Sequence, residues 1–214
     1  VLIIPKAYRK IMSITHSTIP QSNNDLEAWK EQKLQNYPMT LEQTIVEINN
    51  PKQLSDAEKQ KINAGLAKTN FIIYQVKPCD DITENKDIVR SIGQQFGLNH
   101  LDHNECADDD AITALQVNHK GLHNYYIPYS NKPINWHTDG YYNKLDKQIH
   151  SIILHCVHPA EEGGVHVLRY RKRHPEARGC CFGADRVRGL GVIFGEVVLG
   201  EVGEGRSGCC PFEC

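Results

Sequence analysis

Apolar and polar positions change period several times along the chain, and each change marks an element. In DLEAWKEQKLQN (25–36) Leu26, Trp29 and Leu34 stand among strong helix formers, which predicts a helix. TIVEI (44–48) is β-branched and closes on Asn49-Asn50-Pro51, which predicts a strand. Ser55-Asp56-Ala57-Glu58 has capping-box form, and Ile62 and Leu66 lie four apart on the helix it would start. NFIIYQV (70–76) has the apolar run of a buried strand. Helical spacing returns over 85–96, with Ile88, Ile92 and Phe96 on one face and Gly97 as a stop. Residues 112–117 read as a strand. In QIHSIILHCVHPAEEGG (148–164) Ile149, Ser151, Ile153, His155 and Val157 share one face of a strand. His150, Ile152, Leu154 and Cys156 share the other, and both faces are largely apolar, as in an interior strand. Pro159 and Gly163-Gly164 end it. The order is mixed α and β followed by mostly β, an α+β to mainly β fold class.

Charge and length narrow the partners. A net charge of −2 argues against a nucleic-acid-binding surface. No apolar run approaches the roughly 20 residues a membrane span requires. Cys79, Cys106 and Cys156 are scattered as free thiols would be, which points to a reducing, cytoplasmic setting.

Composition breaks at residue 164. Residues 1–164 hold 15 Asn, 11 Gln and two Arg, whereas 165–214 hold no Asn or Gln, seven Arg and nine Gly. Cys180, Cys181, Cys209, Cys210 and Cys214 also crowd this tail. Three readings stand for 165–214: a separate segment, a basic Gly-rich disordered extension, or a frame-shifted or chimeric translation. Its paired cysteines lack the C-x2-C spacing that suits tetrahedral zinc. GLGVIFGEVVLGEVGEG (189–205) reads as an aggregation-prone stretch. At the other end, residues 1–11 read as upstream read-through ahead of Met12, leaving 12–164 as the organised part.

Chemistry concentrates in NWHTDGYY (135–142). His137 and Asp139 stand two apart, so on an extended segment both side chains point one way, with Cα atoms about 6–7 Å apart. An imidazole nitrogen and a carboxylate oxygen are two of the three ligands in the 2-His-1-carboxylate arrangement that holds ferrous iron. Gly140 lets the backbone turn sharply after them.

The run YIPYSNKPINWHTDGYYN, followed by an apolar strand and HPAEEGG, resembles the TauD/TfdA-like (taurine dioxygenase) family of Fe(II)/2-oxoglutarate-dependent oxygenases. The likeness is clear over 115–164 and extends loosely back to about residue 55. It implies a double-stranded β-helix (jelly roll) with flanking helices, expected to be incomplete at the C-terminus. It implies His137 and Asp139 as metal ligands, Fe(II) as cofactor, and 2-oxoglutarate and dioxygen as co-substrates. The implied reaction is hydroxylation of a small organic substrate with decarboxylation of 2-oxoglutarate to succinate. Trp136, Tyr141 and Tyr142 flank the ligands and could wall the pocket.

The chain departs from the family at Gly164. There the family continues with an acidic residue and then Thr or Asn; here Val165-His166 follows. The family's second histidine ligand and its 2-oxoglutarate arginine are not identified. His166 with Arg178, and His174 with Arg186, reproduce a gap of 12 but come too soon after Asp139. His155 and His158 read as structural. The expectation is therefore an oxygenase by descent with little or no turnover. The alternatives are a non-catalytic metal-binding or interaction protein using the Cys-rich tail, and a non-functional truncated product.

Overall fold

The computed structural model describes residues 2–5, 40–101, 110–117, 127–130, 149–159, 166–169, 179–182 and 189–194, with 27–28, 31–32, 34–35, 37–38, 132 and 143–144 between them. The described residues form seven strands: β1 (Leu2–Pro5), β2 (Ile45–Glu47), β3 (Phe71–Gln75), β4 (Ile149–His155), β5 (His166–Arg169), β6 (Gly179–Phe182) and β7 (Leu190–Phe194). Two helices, α1 (Asp56–Thr69) and α2 (Ile82–Gln95), lie between β2 and β4 in sequence.

α1 starts where its cap dictates. The Ser55 side chain accepts from the Glu58 amide, and the Glu58 carboxylate accepts from the Ser55 amide at 2.6 Å, so the capping box is complete. Asn70 ends the helix in the left-handed region, at φ 60°. α2 begins three residues before the hydrophobic spacing predicted, because Asp81 caps the Glu84 amide at 2.7 Å. Ile88, Ile92 and Phe96 face the core as expected, and Gly97 follows the helix at φ 75°. In the first predicted helix, Glu27, Ala28, Glu31, Gln32 and Leu34 are helical.

One expected strand is absent. Residues 112–117 form no strand: Ala111 takes φ 58°, and the Asp110 carboxylate accepts from the Ile112 amide at 3.2 Å. That local bond turns the chain and uses a donor a sheet would need. Asp110 is itself held by Lys86 at 3.0 Å and Arg90 at 2.8 Å, which ties the turn to α2.

Five strands form one sheet in the order β1-β4-β7-β3-β2, and β5 and β6 form a separate antiparallel ribbon. β2 runs parallel to β3; the other neighbours are antiparallel. β4 is interior, between β1 and β7, as its two apolar faces predicted. The described strands thus make a mixed sheet beside two helices, and they do not display a double-stranded β-helix. Leu2–Pro5, from the segment read as upstream read-through, pairs with β4. Leu190–Phe194, from the compositionally foreign tail, sits between β3 and β4 at the centre of the sheet.

On one sheet face Ile72, Ile193 and Ile153 stand side by side across β3, β7 and β4. All three are buried and share a core with Ile62 and Leu66 of α1 and Ile88 and Ile92 of α2. Each such side chain stabilises the fold by about 1.5–3 kcal/mol relative to exposure. Gly65 lets α1 approach: a Cβ there would lie 2.3 Å from Ile72 Cδ1.

Candidate functional site

The sequence-predicted ligands His137 and Asp139, with Trp136, Tyr141 and Tyr142, lie outside the described residues. The described chain brackets them. Tyr129, buried at the end of a short 3-10 turn (Ile127–Tyr129), precedes them, and β4 follows from Ile149. Of the tail's substitute pairs, His166 opens β5, while His174, Arg178 and Arg186 lie outside the described residues. Among the described residues no three His, Cys, Asp or Glu side chains come together as a metal site.

What the structure does assemble is a half-buried polar relay that the sequence pattern missed. Tyr74 of β3 and His155 of β4 each stand opposite Gly191 of β7. With no side chain between them, Tyr74 Oη comes within 3.0 Å of His155 Nδ1, and the two rings stack with centroids 5.8 Å apart. On its other side His155 Nε2 lies 2.8 Å from Asn85 Oδ1 on α2. Asn85 Nδ2 donates to the carbonyls of Cys79 and Asp81, at 3.1 and 2.7 Å. Those two bonds fix which end of the amide is the acceptor. His155 therefore carries its proton on Nε2 and donates it to Asn85, while Nδ1 accepts from the Tyr74 hydroxyl.

The electrostatics agree with this tautomer. Burial, with the positive charge of the amino terminus adding to it, pushes His155 down to about 4, so it is neutral at pH 7. Tyr74 has no exposed surface, and burial pushes its phenol far above the usual range. Both stay uncharged, which the low-dielectric interior favours. Because both ring nitrogens are engaged within the protein, His155 has none left for a metal. His158 is exposed, with Nδ1 4.0 Å from the Asp80 carboxylate.

Cys79 and Cys156 are not joined in disulfides, and Cys106 lies outside the described residues. Cys79 donates to the Glu84 carboxylate at 3.0 Å, and that bond holds its thiol above the usual range, which makes it a poor nucleophile. No helix of the described residues is long and apolar enough to cross a membrane. The signal that could have disclosed the relay was His155 on a largely apolar strand side, together with a tyrosine inside the apolar run of β3.

Comparison with known proteins adds the framework these residues sit in. No curated protein and no solved structure matches the chain. The family model described as "Taurine catabolism dioxygenase TauD, TfdA family" matches residues 32–168. That span takes in α1, β3, α2, the His137-x-Asp139 motif and β4, and it extends the resemblance read over 115–164 in both directions. With more than half of its residues matched, the chain belongs to the TauD/TfdA family.

Proposed function

We propose that the chain is built for Fe(II)- and 2-oxoglutarate-dependent oxygenation of a small organic substrate, with His137 and Asp139 as iron ligands. The observation that carries this is the family match over 32–168, which contains both residues. Members of this family are generally dioxygenases that use Fe(II) and 2-oxoglutarate, within a jelly-roll fold. The mixed sheet with helices beside it would then be the described portion of such a fold.

The donor chemistry fits ferrous iron as far as it goes. One imidazole and one carboxylate are the borderline and hard donors that metal takes. Among the described residues no three His, Cys, Asp or Glu side chains come together, and His155 is committed to Tyr74 and Asn85. When bound, the metal would supply activation of dioxygen coupled to decarboxylation of 2-oxoglutarate. The chain's part is to hold the metal through His137 and Asp139 and to exclude water with Trp136, Tyr141 and Tyr142. With two donors and no identified arginine for the co-substrate carboxylate, binding is weak and turnover low.

Titration of the 214-residue chain with ferrous iron and 2-oxoglutarate under argon, followed by the visible charge-transfer absorption, tests this. A weak band that disappears in His137→Ala and Asp139→Ala is expected. A strong band would show that a third ligand is present. A band indifferent to both substitutions would remove these residues from the metal site.

A further inference from the structure

The row Tyr74–Gly191–His155 spans three strands, and it has a consequence for the strand at its centre. β7 comes from the tail, whereas β3 and β4 lie in the family-matched part. Beside the backbone ladders, β7 is overlaid here by a side-chain bridge, the Tyr74–His155 hydrogen bond that passes over Gly191. The same end of β7 is anchored by Gly189, whose amide donates to the Cys156 carbonyl at 3.0 Å and whose carbonyl accepts from the Val76 amide at 2.9 Å. We propose that Tyr74 and His155 form an acid-sensitive clasp that holds β7 in the sheet and releases it when His155 takes up a proton.

The geometry gives the sense of the response. Protonation at Nδ1 turns the ring's acceptor into a second donor, so the Tyr74 hydroxyl must reverse and its own hydrogen is left in a fully buried site. Among the described residues, the groups that face the ring offer the new cation no compensating charge. On β3 the facing group is the neutral Tyr74 phenol; on α2 it is Asn85; on β7 it is Gly191, which has no side chain. Cys156 follows directly after the end of β4. The Asp81 carboxylate is occupied in capping Glu84. An imidazolium here is driven toward water, and the clasp opens.

The sign follows from linkage. His155 is depressed to about 4 in the folded chain, against about 6.5 unfolded. The unfolded or opened state therefore binds the proton first, and stability is lost as pH falls through this window. Between about pH 7.5 and about pH 5 the opening equilibrium should rise about 30-fold, above the range where carboxylates titrate. Hydrogen exchange of the full chain, corrected for intrinsic rates, reads this directly. The amides of Gly189–Phe194 are expected to lose about 30-fold in protection while those of Ile62–Leu66 keep theirs. Loss of protection shared equally by α1 would show global acid unfolding and overturn the clasp, as would an unchanged β7. Nitrogen-detected NMR of the His155 ring is the second measurement. The Nε2–H tautomer should persist to below about pH 5, and Tyr74→Phe, which removes the bond to Nδ1, should raise the ring's titration point. An ordinary midpoint near 6.5, unmoved by Tyr74→Phe, would overturn it too.

Discussion

Tyr74 and His155 hydrogen-bond at 3.0 Å although they stand on strands that are not neighbours. β7 lies between them, and the contact exists because the residue it passes over is Gly191. A Cβ on Gly191 would fall 2.0 Å from Tyr74 Cζ and 2.3 Å from Tyr74 Oη, inside any real contact distance.

Gly191→Ala should consequently cost stability well beyond an ordinary glycine replacement. The Tyr74 ring is fully buried and cannot step aside without repacking. Overpacking of this kind typically costs about 1–3 kcal/mol, and here the lost hydrogen bond adds about 1 kcal/mol. Gly65→Ala is the comparison, since the nearest atom it meets is the terminal Cδ1 of Ile72, which a rotamer change can move, and the helix gains about 1 kcal/mol of propensity. Urea unfolding should show the first variant clearly weakened and the second within about 1 kcal/mol of the parent. Equal losses would mean that the Tyr74 ring is not fixed against β7.

Removing partners from the relay should cost in proportion to what each leaves stranded. Tyr74→Phe keeps the ring and strands one acceptor, His155 Nδ1, at about 1–2 kcal/mol. Asn85→Leu strands the His155 Nε2 proton and the Cys79 carbonyl together, while the Asp81 carbonyl keeps the backbone amide of residue 85, and should cost more. Thermal melts at pH 7 will rank them. The reverse order would place the weight of the network on the Tyr74 side.

Much of this architecture was legible because its signals are local. The Ser55–Glu58 pattern names the start of α1, and the 3–4 spacing of Ile88, Ile92 and Phe96 names the buried face of α2. The apolar run of β3 and the two-faced pattern of β4 name buried strands. The strand expected over 112–117 failed because Asp110 and Ala111 impose a turn that β-propensity does not weigh. The relay was not legible, since Tyr74, Asn85, His155 and Gly191 are brought together only by the strand order, which has β7 between β4 and β3. His137 and Asp139 were singled out by spacing and resemblance, and neither can supply the third ligand's position, which depends on later strands.

Glu58 predicts a distinct acid response. Its carboxylate accepts from the Asn49 amide at 2.9 Å and from both the amide and hydroxyl of Ser55, at 2.6 and 2.7 Å. The Asn49 amide first, and the Ser55 hydroxyl next, hold it below the usual carboxylate range. A depressed carboxylate stabilises the fold above its unfolded value, near about 4.3, and the contribution fades as pH falls through the folded value. Glu58→Gln should remove that dependence, so parent and variant stabilities converge below about pH 4 and differ at pH 7. A constant gap across this range would assign the loss to packing rather than charge.

The status of the tail can be decided by where it is cut. β7 joins β3 to β4, so a chain ending at Gly164 leaves both strands with an open ladder and exposes the faces of Ile72 and Ile153 that Ile193 covers. Unpaired interior edges and uncovered apolar surface favour aggregation. A chain ending at Gly195 keeps all five strands of the sheet. The shorter chain is expected to be insoluble or to melt without cooperativity, and the longer one to unfold in a single transition like the full 214 residues. Cooperative unfolding of both would mean that residues 165–195 add nothing to the fold, and that β3 and β4 find another partner in the family-matched part. Failure of the longer chain alone to match the parent would move the stabilising role to residues 196–214.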